Sequence, residues 1–393
     1  MPRTLAPGDE LELAITSLAS GGEGVARADD GRVVFVEGAA PGDRVRASLD
    51  QVARRFARGR VAAVLAPGDA RVEPRCAVFG RCGGCAWQHV SASAQAEAKR
   101  SIATDALRRI GKLTLPEEPL PFHASPDGYG YRDRARLVVS PDGVGFRAAG
   151  SHDTVTVSEC PVLTPRANQR LAALAANPPR AFGEWEIAVG RGRGRTARLG
   201  DDAMPIALEA GDRQLRVSSG VFFQAHRALR SRLLERVAAF CGEGERALEL
   251  YAGAGFFTVG LARAFRTVVA VESAPAAVED LRHNFATASR VEAREQRVED
   301  ALAEGVERPD LVFLDPPRTG LAPAASRALA ALQPDRIVYL SCDPATLARD
   351  LAVLVSEGYG LTAVEAFDLF PQTPHVELLA RLDRSGAGGA VAR

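Results

Sequence analysis

The sequence predicts an α/β protein whose C-terminal half is a doubly wound sheet, preceded by a small β-barrel and a second β-rich region. In the C-terminal half, apolar strands end abruptly in polar or Gly-rich residues and run into helical segments. The first 66 residues hold short strands separated by Gly turns, and a tight group of cysteines follows them. A chain of 393 residues has room for three domains, which we place at 1–66, 67–217 and 218–393.

The composition is that of a soluble globular protein, with 46% hydrophobic and 25% charged residues. The net charge is zero, so the total gives no indication of a polyanionic partner. No apolar run approaches the ~18 residues of a membrane span, and the N-terminus lacks the apolar core of a secretory signal. We expect a cytoplasmic protein that does not bind membranes and acts as a monomer.

The short strands of residues 1–66 favour an OB-like barrel, a fold that commonly binds oligonucleotides. The segments G-E-G-V-A and V-F-V-E-G-A-A-P-G-D resemble the TRAM domain of tRNA- and rRNA-modifying enzymes. That resemblance implies contact with RNA. The strand pattern by itself is equally compatible with a β-barrel that binds no ligand.

The segment C-A-V-F-G-R-C-G-G-C-A-W-Q-H, residues 76–89, holds three cysteines, and a fourth precedes Pro161. In a reducing compartment, clustered cysteines indicate metal binding or catalysis before disulfides. Four thiolates suit either zinc or an iron–sulfur cluster, and spacing does not separate the two. The pattern C-x5-C-G-G-C-x-x-Q-H resembles the [4Fe-4S] motif of rRNA uridine-C5 methyltransferases. The resemblance implies a cluster on Cys76, Cys82, Cys85 and Cys160.

A strand, a Gly-rich turn and a helix follow one another in A-L-E-L-Y-A-G-A-G-F-F-T-V-G, residues 247–260. The next strand ends in Glu272, nineteen residues after Gly253, where a carboxylate can accept hydrogen bonds from a ribose. A dinucleotide site would have a small residue at the place of Thr258, after less bulky neighbours than Phe256. The turn is instead similar to motif I of S-adenosylmethionine-dependent methyltransferases, with NAD binding as the alternative.

Two further strands end in chemically specific residues. D-L-V-F-L-D-P-P-R ends in Asp315 and Arg318, an acceptor and a donor beside two stiff prolines, which suits a planar heterocycle. R-I-V-Y-L-S-C-D-P ends in Cys342. The partial positive charge of the following helix N-terminus would favour a thiolate there. A buried structural cysteine is the alternative, because free cysteine is among the most buried residue types.

The motif order D-P-P-R, S-C-D-P and F-P-x-T-x-H-V-E resembles the family that forms 5-methyluridine in RNA, and the likeness covers essentially the whole chain. It implies a Rossmann-like class I methyltransferase domain in which Cys342 is the nucleophile and Glu377 the base. Burial would raise the pKa of Glu377 toward that of a working base. The residues implied in binding are Gln224, Tyr251, Glu272 and Asp315 for S-adenosylmethionine, and Arg318 and Phe222 for the substrate. His226 and Phe256 replace residues that are often Asn in the family.

Barrel and cluster together favour 23S rRNA over tRNA as the substrate of such an enzyme. A cytosine-C5 methyltransferase is the nearest alternative, although RNA enzymes of that kind usually carry a Cys in the D-P-P-type motif as well. An N-methyltransferase, an NAD oxidoreductase or a pure RNA-binding module would need no nucleophile at Cys342. Loss of a covalent adduct with 5-fluorouridine RNA on Cys342→Ala would separate these from the uridine-C5 chemistry.

Overall fold

The structure is a computed structural model that describes residues 5–199 and 205–385. The ends of the first and third predicted domains, 1–4 and 386–393, and residues 200–204 of the second lie outside the described residues. No described helix is long and apolar enough to span a bilayer.

The N-terminal strands form one curled six-stranded sheet in the order β1-β5-β6-β4-β3-β2, in which only β4 and β6 pair in parallel. The strands are β1 (Glu10–Ala14), β2 (Ser17–Leu18), β3 (Gly24–Arg27), β4 (Val33–Glu37), β5 (Arg44–Val52) and β6 (Phe56–Ala66). Alternate side chains point inward and make a small core, as the period-two pattern predicts: Leu13, Val34, Val36, Val45 and Leu49.

A helix and a short strand follow the cysteine segment: α1 (Ala92–Arg109) and β7 (Phe122–His123). Ser91 caps α1, since its Oγ accepts a hydrogen bond from the backbone N–H of Ala94 at 3.4 Å. These elements fall within predicted domain 67–217, but Ala103 and Leu107 of α1 are buried in the core of the C-terminal domain. The helix therefore lies between the cysteine segment and that domain.

The rest of the central region is an antiparallel sheet in the order β10-β9-β8-β11-β12, with one helix packed on it. Its elements are β8 (Arg134–Ser140), β9 (Gly143–Arg147), β10 (Thr154–Thr156), α2 (Pro165–Ala176), β11 (Gly183–Val189) and β12 (Gly194–Arg198). A hairpin of β13 (Ile206–Ala210) and β14 (Arg213–Val217) then packs into the core of the C-terminal domain.

Alternating helices and strands make up the C-terminal domain. They are α3 (Arg230–Cys241), β15 (Gly244–Leu250), α4 (Thr258–Ala264), β16 (Phe265–Glu272), α5 (Pro275–Asn284), β17 (Val291–Glu295), α6 (Val298–Glu304), β18 (Leu311–Leu314), α7 (Pro323–Ala331), β19 (Arg336–Ser341), α8 (Pro344–Ser356), β20 (Tyr359–Phe367) and β21 (Glu377–Arg384).

The eight-stranded sheet has the order β17-β16-β15-β18-β19-β21-β20-β7. All neighbouring pairs from β17 to β19 are parallel, and β21 alone runs against both of its neighbours. Apolar cores cover both faces, as a parallel sheet requires. The strand order reverses beside β15, and ligands of open α/β sheets bind at the carboxyl ends of the strands at such a point.

Candidate active site

The sheet brings the three motifs of the C-terminal half to one edge. Asp315 follows β18 directly and Cys342 follows β19 directly. Because β21 is antiparallel, its first residue, Glu377, lies at the same edge. Ser341 pairs with Leu378, so continuation of that register sets Cys342 opposite Glu377.

The Gly-rich turn after β15 is tied to Glu272. One oxygen of the Glu272 carboxylate accepts a hydrogen bond from Gly253 N at 3.0 Å, and the other accepts from Ser273 N and Ala274 N at 2.7 and 2.8 Å. A carboxylate has about four acceptor positions, so room remains for a ligand hydroxyl. Tyr251 stands in the same turn with a φ of +62°.

Two glycines of this turn have positive φ, and their surroundings differ. A Cβ on Gly255 would lie 2.5 Å from the ring of Phe285, so packing against α5 requires glycine there. A Cβ on Gly253 would meet no atom within 4 Å. The backbone of Gly253 therefore borders open space at the edge of the sheet where a ligand is expected.

Glu249 was not assigned a role from the sequence, yet it lies under this turn. Its side chain is buried and accepts a 2.6 Å hydrogen bond from the Thr258 hydroxyl. Burial, followed by the negative charges of Asp315 and Glu272, raises the pKa of Glu249 to about 8. Thr258, which argues against a dinucleotide fingerprint, thus serves as the partner of a buried carboxyl.

Electrostatic interactions place Asp315, Arg318, Cys342 and Glu377 in one cluster. Burial raises the pKa of Asp315 to about 7. Burial first, and the charge of Asp315 second, raise the pKa of Glu377 well above its usual range, while Arg318 acts in the opposite sense. The direction at Glu377 agrees with the expectation from the sequence. The three motifs therefore form one site with a buried carboxyl suited to take up a proton.

The expectation that the α8 N-terminus favours a Cys342 thiolate is wrong. Burial, and then the negative charge of Glu377, raise the pKa of the Cys342 thiol to about 11. The first N–H groups of α8 are also engaged, since Asp343 Oδ1 accepts from Ala345 N and Thr346 N at 3.0 and 2.8 Å. Among the charged groups that act on Cys342, Arg318 favours the thiolate, because its positive charge lowers the pKa of the thiol.

Arg318 also contacts the loop before Glu377. Its Nη2 is 2.9 Å from Nε2 of His375. Burial, and then the positive charge of Arg318, lower the pKa of His375 to about 4, so the ring is neutral and accepts this hydrogen bond. His375 belongs to the quoted F-P-x-T-x-H-V-E motif, but its role could not be assigned without the contact.

The segment before α3 has one exposed and several buried side chains. Phe222 is 66% exposed, so its ring is accessible for contact with a ligand. Gln224 is buried, and its backbone carbonyl accepts a 2.7 Å hydrogen bond from Arg230. The replacements at His226 and Phe256 are structural. His226 Nδ1 accepts from Leu229 N and the ring stacks on Tyr131, whereas Phe256 is buried edge-on against Phe223.

The four cysteines of the predicted cluster are free, partly exposed thiols that interact electrostatically with one another. Burial raises the pKa of Cys85 to about 12, and Gly84 N donates to Cys82 Sγ at 3.4 Å. Within the ranges 5–199 and 205–385, no group of three or more potential ligands is placed to hold a single metal ion. The sulfurs are thus neighbours without enclosing a single-ion position.

A cavity of about 420 Å³ extends from the cysteine segment toward Phe222. Arg132, Arg134 and Arg136 line it. Arg134 is buried in a salt bridge with Glu186, however, so it belongs to the sheet rather than to a free basic surface. The other residues that line the cavity include Cys82, Cys160, Phe223 and Phe370.

The strand order and the turn beside β15 are those of a Rossmann-like class I methyltransferase, and Cys342, Asp315 and Glu377 lie together at the edge of the sheet where ligands bind. Comparison with known proteins gives the family. Residues 5–62 match the TRAM domain, and residues 182–293 and 284–385 match the tRNA (uracil-5-)-methyltransferase family. The chain belongs to this RNA uracil-C5 methyltransferase family.

Relatives match over nearly the full chain. The 23S rRNA (uracil(1939)-C(5))-methyltransferase RlmD of Halomonas elongata is 35% identical, over 95% of this chain and 89% of that protein. An RNA methyltransferase of Streptomyces coelicolor is 34% identical, over 97% and 94%. The crystal structure of Pyrococcus abyssi tRNA (uracil-54, C5)-methyltransferase with S-adenosyl-L-homocysteine has a TM-score of 0.75 and 25% identity, and covers 95% of this chain and 100% of that one.

Proposed function

We propose that the protein transfers a methyl group from S-adenosylmethionine to C5 of a uridine in RNA, through a covalent bond between Cys342 and C6 of the base. The observation that carries this proposal is the meeting of a thiol, two carboxyls and a guanidinium at the ligand-binding edge of the sheet, where Glu377 is buried. Uracil C5 is a poor nucleophile on its own, and addition of a thiolate at C6 makes it an enolate carbon.

The proposed reaction has two stages, in which different residues of the chain act. The Cys342 thiolate forms a bond to C6, and the ring electrons move toward C5 and the neighbouring carbonyl. S-adenosylmethionine supplies the electrophilic methyl group that C5 takes up. The Glu377 carboxylate then removes the proton from C5, the C5–C6 double bond re-forms, and the C6–S bond breaks to release the thiolate. Burial suits Glu377 to this stage, because a raised pKa makes the carboxylate a stronger base.

S-adenosylmethionine would be held by the turn beside β15. The open space at Gly253 leaves room for a ligand next to the backbone, and Glu272 retains an acceptor position for a ribose hydroxyl. Tyr251, Asp315 and Gln224 are the further binding residues we propose. Arg318 and the exposed Phe222 would contact the target base, which must leave its RNA stack to reach Cys342.

Cys76, Cys82, Cys85 and Cys160 would hold a [4Fe-4S] cluster. The set of four neighbouring free thiols has the composition such a cluster requires, and Gly84 N already donates to one sulfur. The Cys85 thiol, with its pKa raised to about 12, is stable as a thiolate only with a cation to neutralise it. We assign the cluster a role in folding or RNA contact rather than in methyl transfer.

We propose 23S rRNA as the substrate, supported by the RlmD relatives. The similar Pyrococcus abyssi structure is a tRNA enzyme that aligns with 95% of this chain, so tRNA is the second candidate. The presence of the barrel and the cysteine segment is therefore weaker evidence for an rRNA substrate over a tRNA substrate than expected from the sequence.

The deciding experiment incubates the purified protein with labelled S-adenosylmethionine and unmodified 23S rRNA or tRNA transcripts, and identifies the product nucleoside by mass spectrometry. We expect 5-methyluridine in 23S rRNA. The tRNA candidate predicts 5-methyluridine in tRNA only, and the cytosine candidate predicts 5-methylcytidine. A product methylated on nitrogen would contradict the proposed reaction.

A further inference from the structure

The residues between β20 and β21 form a loop, 368–376, that leads directly into Glu377; we call it the base loop. Hydrogen bonds from the cysteine segment and from α1 hold this loop at its start and at its middle. At its start, the ammonium group of Lys99, which is fully buried, pairs with Asp368 and donates to Phe370 O at 3.0 Å. A charge this deeply buried needs such partners, so the pairing fixes Asp368 relative to α1.

Gln372 is the second point of attachment and the most densely bonded residue of the base loop. Its backbone N–H donates to Gln95 Oε1 at 2.9 Å, and its side-chain Oε1 accepts from Gln95 Nε2 at 3.0 Å. Its backbone carbonyl accepts from Ala86 N and Trp87 N at 3.0 and 2.9 Å. Its Nε2 donates to Gly128 O at 3.2 Å. Both amide side chains are buried, so each lost bond would leave a polar group without water.

The backbone of Gln372 is strained as well, with a φ of +69°. A residue that is not glycine adopts this conformation only where surrounding contacts enforce it, and such residues cluster at functional sites. The bonds to Gln95, Ala86 and Trp87 are the contacts that enforce it here. The strained residue lies five positions before Glu377.

Helix α1 also contacts the element that follows Cys342. It packs on α8, the helix that begins two residues after Cys342. One rigid helix therefore contacts the elements that carry both reacting groups: α8 by apolar packing, and the base loop through Gln95 and Lys99. A displacement of the base loop would move Glu377 relative to Cys342 while the cofactor turn beside β15 stayed in place.

We propose that Gln372 is a positioning residue for proton removal: its pairing with Gln95 and with the N–H groups of Ala86 and Trp87 holds Glu377 where it can reach the C5 proton of the adduct. This inference rests on the proposed uridine-C5 reaction. It assigns Gln372 to the second stage of that reaction, in which the C5–H and C6–S bonds break, and not to the first, in which the C6–S and C5–methyl bonds form.

The test compares the two stages in Gln372→Ala. Adduct formation is followed with RNA that carries 5-fluorouridine, whose C5 fluorine cannot leave as a proton, so the reaction stops after the first stage. Release is followed with ordinary uridine RNA, as the decay of the methylated protein–RNA adduct into free product. We expect adduct formation to stay within about twofold of the wild-type rate, and release to slow by about tenfold to a hundredfold, the cost of a small misplacement of a reacting group.

Tyr359→Phe is the matched control. The Tyr359 hydroxyl donates a buried 3.0 Å hydrogen bond to Pro334 O at the opposite edge of the sheet, so its loss lowers stability without touching the base loop. It should leave the ratio of release to adduct formation unchanged. Gln95→Ala, which removes the partner, should reproduce the Gln372→Ala ratio, and the double variant should add little to either single one.

The outcomes separate this inference from the proposed function. An equal slowing of both stages in Gln372→Ala, in proportion to lost stability as in Tyr359→Phe, would overturn the positioning role and leave the proposed reaction intact. Absence of any adduct with the wild-type protein would overturn the proposed reaction and this inference with it. Should Gln372→Ala fail to fold, Gln372→Asn gives the same comparison, because Asn tolerates a positive φ but is too short to keep the pairing with Gln95.

Discussion

Cys342 and Glu377 lie at the adjacent ends of two paired strands, and burial, followed by the negative charge of Glu377, raises the pKa of the Cys342 thiol. The pairing of Ser341 with Leu378 sets the backbones of the two residues opposite each other. A thiol beside a carboxylate is a poor nucleophile until one of the two charges is removed. Since the pKa of Glu377 is itself raised, a protonated Glu377 would relieve the repulsion during attack, and the carboxylate would be needed only for proton removal.

Replacement of Cys342 by Ala should abolish both methylation and the covalent adduct with 5-fluorouridine RNA, because no other thiol among residues 5–199 and 205–385 lies at this edge of the sheet. Gel electrophoresis under denaturing conditions measures the adduct. Cys241→Ala is the control. That thiol ends α3 and is buried in the core, so its loss should lower stability without preventing formation of the adduct. An adduct that persists without Cys342 would exclude it as the nucleophile.

Replacement of Glu377 by Gln should allow attack and methyl transfer but slow proton removal by about 10²–10⁴-fold, the usual contribution of a positioned base. A methylated protein–RNA adduct should therefore accumulate with ordinary uridine RNA, which mass spectrometry of the digested complex would detect. Glu365→Gln offers a control. Glu365 lies on the neighbouring strand β20, and its carboxylate pairs with Arg236 of α3. Unmethylated adduct alone would place Glu377 in the methyl-transfer step instead.

The periodicity of the sequence was sufficient to predict the sheet edge and the residues on it. Apolar runs that end in Asp315 and Cys342 indicate parallel strands, and such strands present their carboxyl ends at one edge. The helix capped by Ser91 was also predictable, because capping depends on local residues. The family resemblance added the role of Glu377, which no local pattern contains.

Long-range contacts were not predictable in this way. Nothing in the sequence near Gln95 indicates that it pairs with Gln372, 277 positions away. The same holds for the Cys342 pKa: the helix N-terminus was visible in the sequence, but the burial and the facing carboxylate that outweigh it depend on tertiary packing. Likewise, the sequence of α1 does not indicate that its apolar residues pack against the C-terminal domain.

The two glycines of the turn beside β15 should respond differently to Ala. Gly253→Ala should cost about 1–2 kcal/mol in stability, the price of a left-handed backbone, and should block S-adenosylmethionine because the new methyl enters open space. Gly255→Ala should cost more in stability, since its Cβ would clash with Phe285. Denaturant unfolding and calorimetric binding measure the two effects. Normal binding by Gly253→Ala would place the cofactor elsewhere.

The anaerobically purified protein should contain about four iron and four sulfide per chain, with broad visible absorption. Serine in place of any one of Cys76, Cys82, Cys85 or Cys160 should bleach that absorption. Cys241→Ser should not, because Cys241 is the last residue of α3 and is buried in a core that contains none of these four cysteines. Metal analysis and absorption spectra provide the readout. One zinc ion per chain and no iron would contradict the cluster and support the alternative that the cysteine spacing left open.

The raised pKa of Asp315 predicts a pH-dependent stability that Asp315→Asn should remove. Burial raises the pKa of Asp315 to about 7 from about 3.9 in an unfolded chain, so the folded protein holds this proton more tightly than the unfolded one. Stability from this group is therefore complete below about pH 4 and declines as the pH rises toward about 7. The decline should be on the order of a few kcal/mol, since each pKa unit corresponds to about 1.4 kcal/mol.

Urea unfolding of wild-type protein and Asp315→Asn at about pH 5, 6, 7 and 8 measures this difference. The stability of the wild type relative to the variant should fall between about pH 5 and 7 and then level off. The negative charge of Asp315 also raises the pKa of Glu377, so Asp315→Asn should lower that pKa. The stability of the variant should therefore depend even less on pH. A constant difference between the two proteins across this range would show that Asp315 is already ionised in the folded protein and would contradict its raised pKa.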